Sequence, residues 1–156
     1  MAHRPYVAVI GPSDATSQEA RDAEEIGRKL ADGGAILVCG GLGGVMGAAC
    51  HGASAAAGTT VGLLPGTDRN SANEYLQIAL PTGLGELRNG LIIRAADAVI
   101  AVGGAYGTLS EIALALRTGV PVIGLNTWEI EGIEEVKSAA EAVTRAMHRA
   151  RGRPDS

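Results

Sequence analysis

Phenylalanine is absent from this chain, and lysine is nearly so, with only Lys29 and Lys137 present. A P-loop needs a lysine directly after its glycines, and no glycine turn here is followed by one. The same scarcity disfavours a pyridoxal phosphate Schiff base. The two cysteines, Cys39 and Cys50, fit no metal or redox spacing and read as reduced, small hydrophobes. His3, His51 and His148 are too widely spaced to build a cluster with carboxylates, so no metal is expected, and His51 reads as a packing or surface residue. No G-x-S-x-G elbow is present. No apolar run reaches membrane-spanning length, and the leading Met-Ala-His-Arg-Pro lacks the apolar core of a secretory signal. With a net charge of −4, neither nucleic acid nor a membrane surface is an expected partner, and the cytoplasm is the expected location.

Glycine is what the chain has in excess, with 23 among 156 residues. Small residues let helices sit close to a sheet and let backbone approach a ligand. The length fits one domain, assigned to residues 1–150, with a frayed tail over 151–156. Apolar runs predict strands at Tyr6–Ile10, Ala35–Cys39, Thr60–Leu64, Leu76–Ala79, Ala98–Val102 and Val122–Leu125. Helices are predicted after the capping box Thr16-x-x-Glu19, from about Val45 to Ala57, from about Gly85 to Ala95, over Thr108–Thr118, and over roughly Ile133–Arg149. In the last of these, Val136, Ala140, Val143 and Met147 recur at helical spacing and are expected to pack on the chain's own sheet. Continuous apolar strands alternating with helices predict an α/β fold of three layers. It is Rossmann-like, with a mostly parallel sheet covered on both faces. Ligands bind such sheets at the carboxyl edge, where three glycine-bearing turns fall: Gly11–Asp14, Gly40–Gly44 and Gly103–Gly107.

The second turn only approaches a dinucleotide fingerprint. Gly41 and Gly43 are in place, but Met46 stands at the third glycine, and Val61-Gly62-Leu63 lies where the ribose-binding acid belongs. The third turn carries more. A buried strand feeds a helix through glycines, so free N–H groups and the helix dipole suit a phosphate there. Glu111 follows one helical turn later, and Arg88 stands early in the preceding helix at the same sheet edge. A carboxylate can stabilise the oxocarbenium-like state of base loss from a ribose phosphate, and an arginine can hold the phosphate or the departing base. Equally, Thr108-x-x-Glu111 reads as a capping box, and Arg88 as a solvated helix residue.

Gly103-Gly104-Ala105-Tyr106-Gly107-Thr108-Leu109-Ser110-Glu111 resembles the P-G-G-x-G-T-x-x-E motif of the Lonely Guy (LOG) proteins, long labelled possible lysine decarboxylases. Gly40-Gly41-Leu42-Gly43-Gly44-Val45-Met46-Gly47 resembles the family's G-G-x-x-G-L-M-G motif, and Arg88 matches its arginine in spacing. The resemblance implies a homo-oligomer, dimer or tetramer, with no metal or organic cofactor. It implies hydrolysis of a nucleoside 5′-monophosphate to free base and ribose 5-phosphate, with Arg88 and Glu111 as the catalytic pair. Gly103, Gly104, Gly107 and Thr108 would hold the phosphate. Gly11 and Ser13 from the first turn, with Gly41, Gly43, Gly44 and Met46 from the second, would complete the ligand contacts. The chain departs from the motif at Gly103, which replaces its proline, at Ala105, which replaces its second glycine, and at Asn89, which replaces a basic residue. These departures resemble the branch of the molybdenum cofactor carrier proteins. A carrier would use the same turns to hold a nucleotide or a pterin-type phosphate without cleaving it.

Overall fold

The computed structural model describes residues 3–153. The first strand, β1 (Tyr6–Ile10), is apolar and buried over its last four residues. The helix α1 (Ser17–Asp32) starts at the anticipated capping box: Thr16 Oγ1 accepts from Glu19 N at 3.1 Å, and Glu19 Oε1 accepts from Thr16 N at 3.2 Å. There follow β2 (Ile36–Cys39), α2 (Val45–Ala55), β3 (Thr59–Leu64) and β4 (Ile78–Pro81). The chain continues through α3 (Arg88–Ala95), β5 (Ala98–Val102), α4 (Tyr106–Thr118), β6 (Val122–Leu125), β7 (Glu134–Val136) and α5 (Ala139–Arg151).

The seven strands among the described residues are all parallel, in the order β4-β3-β2-β1-β5-β6-β7. The helices α1, α2 and α5 cover one face, packed on Val7, Val9, Leu37, Ile100 and Ile123. The helices α3 and α4 cover the other, packed on Ala8, Ile10, Val38, Val99 and Val122. The strand β5 is buried along its whole length in the middle of the sheet. Because β1 has β2 on one side and β5 on the other, the connections diverge there and open a crevice at the carboxyl edge.

The glycine-rich composition has a direct packing use. A Cβ on Gly27 of α1 would lie 1.9 Å from Ala49 O of α2, and one on Gly52 of α2 would lie 1.8 Å from Glu24 O of α1. The two helices therefore touch backbone to backbone.

Four expectations need correction. The region from Ile133 begins as the strand β7, not as a helix; three residues with two glutamates carry too little apolar pattern to show it. With its start moved, α5 buries Ala139, Ala142, Val143, Ala146, Met147 and Ala150, and leaves Ala140 exposed. The segment Gly85–Leu87 is a 3-10 turn ahead of α3, and β4 runs two residues later than expected, with Pro81 as its last residue. Proline is tolerated there because β4 is an edge strand. In the supposed tail, Arg151 closes α5, and Arg153 Nη1 donates to Ala96 O at 3.1 Å. Residues 154–156 of that tail lie outside the described residues.

Candidate functional site

The helix α4 begins two residues earlier than its sequence pattern indicates. Its N-cap is Ala105, which has no side chain able to cap, and Thr108 sits inside the first turn. The first helical bond runs from Leu109 N to Ala105 O at 2.9 Å. The N–H groups of Tyr106, Gly107 and Thr108 therefore have no acceptor within the helix. The capping box read at Thr108 and Glu111 does not form. Thr108 is only 2% exposed, yet its Oγ1 has no hydrogen-bond partner among the described residues.

Of these, Gly107 and Thr108 border a cleft of about 190 Å³ beside the crevice between β1 and β5. Gly11, Pro12 and Ser13 form its floor after β1, Gly40 and Met46 one side, Arg88 and Asn89 another, and Ala105, Gly107, Thr108 and Glu111 the last. The structure thus brings together Arg88, Glu111, Gly107, Thr108, Gly11, Ser13 and Met46. It separates them from five other anticipated contacts. Gly103 and Gly104 face a neighbouring cleft of about 570 Å³, which shares only Pro12 and Ala105 with the first. Gly41 is left-handed (φ +77°) and packs against Leu64 and Leu76, while Gly44 (φ +65°) is the N-cap of α2 and lies over the Pro12–Ser13 backbone. Gly43 does not line the cleft.

Arg88 is 9% exposed at the start of α3. Its Nη1 donates to Asn89 Oδ1 and its Nη2 reaches Gly40 O at 3.4 Å, while Nε has no partner among the described residues. Burial pulls its guanidinium below the usual value, with Glu111 opposing that shift. Burial in turn pushes the Glu111 carboxyl up to about 7, against the pull of Arg88. The two attract across the cleft without touching: among the described residues no ion pair or hydrogen bond holds the Glu111 carboxyl. A buried cation, a buried hydroxyl-bearing residue and an uncapped helix start all belong to residues that line one small space. That set accepts an anion with several oxygens.

Gly40 and Asn89, like Pro12 and Ala105, line this cleft without having been assigned to the site from the sequence. A Cβ on residue 40 would sit 2.7 Å from Arg88 Nη2 and 2.8 Å from Met46 Sδ, so glycine makes the space for the guanidinium. Its place just after an apolar strand was the available signal. Asn89, standing where the motif has a basic residue, accepts from Arg88 instead of adding a second charge.

The motif departures now have a geometry. Gly103 has φ +69°, which proline cannot adopt, and a Cβ there would lie 1.8 Å from Glu19 Oε2. Ala105 has an extended backbone (φ −131°) and needs no glycine. Trp128 Nε1 donates to Ala105 O at 3.2 Å and pins the turn from behind. Behind Arg88, Cys39 and Cys50 are buried with their sulfurs 3.6 Å apart, and that contact with burial holds the Cys39 thiol well above its usual value. His51 stacks on Tyr75 (centroids 4.3 Å apart) outside the cleft.

Residues 4–151 match the SLOG cluster4 family. The chain belongs to that family. Among solved structures similar to this SLOG cluster4 chain is the molybdenum cofactor binding protein of the phototrophic bacterium Rippkaea orientalis. It is 33% identical, with a TM-score of 0.88 over 95% of this chain and 98% of that one. The molybdenum cofactor carrier protein of Chlamydomonas reinhardtii is 32% identical, with a TM-score of 0.86 over 94% of this chain and 98% of that one. An uncharacterised protein of Archaeoglobus fulgidus is 39% identical over 138 residues, 88% of this chain and 91% of its own length. The fold and the superfamily expected from the glycine motifs are therefore those observed, and the structural likeness falls on the molybdenum cofactor carrier side of it.

Proposed function

We propose that this SLOG cluster4 protein binds a phosphate-bearing pterin of the molybdenum cofactor type as cargo and releases it uncleaved. The observation that carries the reading is the uncapped start of α4 in a cleft lined by Arg88 and Thr108, two buried side chains that each hold a polar atom without a partner among the described residues. Together they meet the needs of a phosphate group: charge-assisted donors in a fixed place, already desolvated. The relatives named for molybdenum cofactor binding and carriage supply the class of ligand. The phosphate would sit against Gly107, Thr108 and Arg88, and the remainder of the ligand would leave the cleft over Ser13. The test is what the protein retains. Acid extraction and oxidation of freshly purified protein should release a fluorescent pterin in about equimolar amount, and a protein carrying none would count against the reading.

One observation favours a second reading, nucleoside 5′-monophosphate hydrolysis. Arg88 and Glu111 share the cleft, and a carboxyl pushed up to about 7 is poised for acid–base work near neutral pH. Free base released from AMP by wild type, and lost in Glu111→Ala, would establish it.

We also infer a homo-oligomer. Leu87 is 75% exposed, with the exposed Leu84 and Leu91 three residues before it and four after it, giving the start of α3 an apolar surface suited to a second copy. No helix among the described residues is long and apolar enough to cross a membrane.

A further inference from the structure

We propose that Glu111 takes part in anion binding as a neutral carboxylic acid, donating its proton to an oxygen of the bound phosphate-type group, so that capture of the anion is linked to a proton. This rests on the anion-site reading above and adds a role for the acid that a carrier would otherwise leave unused.

Glu111 follows Thr108 by one turn of α4, so both side chains border the same cleft. An anion held by Thr108, Gly107 and Arg88 stands next to the Glu111 carboxyl. Were that carboxyl ionised, two negative charges would share a half-buried space of about 190 Å³ with a single cation. Like charges in such a space do not both persist: one group takes up a proton. The carboxyl is the group free to do so, since no described residue engages it by hydrogen bond or ion pair, and burial already favours its protonated form. Once protonated it has one O–H, and the acceptor closest in kind is an anion oxygen.

Arg88, from α3, is the only neighbouring charge among the described residues that acts on the Glu111 carboxyl, and it is shared with the incoming anion. From the end of β2 comes only Cys39, a thiol kept neutral behind Arg88. The turn after β1 contributes Gly11, Pro12 and Ser13, none of which titrates in this range. The strands β5 and β6 beneath α4 present apolar residues.

Sulfate is the probe for the test, because its charge does not change between about pH 5.5 and about pH 8.5, whereas that of phosphate does. Trp128, the single tryptophan, donates from behind the turn to the carbonyl of cleft-lining Ala105 and serves as the fluorescent reporter, with chemical-shift titration as a second readout. Wild type should bind sulfate with constant affinity below about pH 6.5. Above about pH 7.5 it should lose about tenfold per unit, the slope for one linked proton. Glu111→Gln keeps a donor and cannot ionise, so its affinity should stay flat and exceed that of wild type by more than about tenfold at about pH 8.5. Glu111→Ala should also be flat, but weaker than Glu111→Gln at every pH. A flat wild-type profile with sulfate bound, or a Glu111→Gln profile as steep as wild type, overturns the proton linkage alone. Absence of sulfate binding by wild type at any pH overturns the anion site, and the linkage with it.

Discussion

Glu111 is the residue whose environment is most at odds with its chemistry. Its carboxyl is raised by burial to about 7, so between its unfolded value, about 4.3, and that point the folded state holds the extra proton. The stability this contributes is complete at low pH and is lost as the pH rises through the same window. Glu111→Gln removes the dependence. Urea unfolding near pH 8 should find the variant more stable than wild type by on the order of 1–2 kcal/mol, discounted for solvent screening of a half-buried group, with the two converging near pH 4.5. Gly40 tests the opposite wall. In Gly40→Ala the new methyl displaces the free ends of Arg88 and Met46, neither of which is rigid backbone. Stability should change little, while sulfate binding falls by about tenfold or more as the guanidinium shifts; binding equal to wild type would show that Arg88 does not need its present place.

At the scale of elements, the contact of α1 with α2 depends on the absence of two side chains. Alanine in place of a helical glycine ordinarily stabilises by roughly 0.5–1 kcal/mol. Gly52→Ala should do the reverse, because its Cβ would stand 1.8 Å from Glu24 O, an atom that moves only with α1 itself. A loss of about 1–3 kcal/mol in thermal or urea unfolding is expected. Most elements were legible in the sequence for reasons that can be named. Tyr6–Ile10 and Ala98–Val102 are apolar runs bounded by polar residues and glycine, and Thr16-x-x-Glu19 supplies its own cap. The start of α4 was not legible, because Ala105 as N-cap gives no side-chain signal and Thr108 imitates one. The strand β7 was hidden for another reason. Its glutamates look like a helix face, and Glu134 is in fact gripped by Arg149 of α5 at 2.8 Å.

For the whole molecule, the parallel sheet gathers three glycine turns at one edge, but only parts of each reach the cleft. Sequence spacing brought Arg88, Glu111, Gly107 and Thr108 to a common edge, and the structure places them around one cleft. It could not show that Gly103 turns away under Glu19, since that depends on the capping of a helix far along the chain. The apolar surface at the start of α3 belongs to this scale as well. Leu87→Asp should shift the protein to a smaller species in size-exclusion chromatography with light scattering, with the circular dichroism of the fold unchanged. An unchanged mass would place the interface elsewhere or show a monomer.

The central claim is that the cleft at the start of α4 holds an intact phosphate-bearing ligand through Arg88. Native mass spectrometry of wild type and Arg88→Met, purified side by side, tests it most directly. The account predicts one phosphate-bearing adduct per protomer on wild type and bare protein for the variant. The same adduct on both proteins, or none on either, would contradict it.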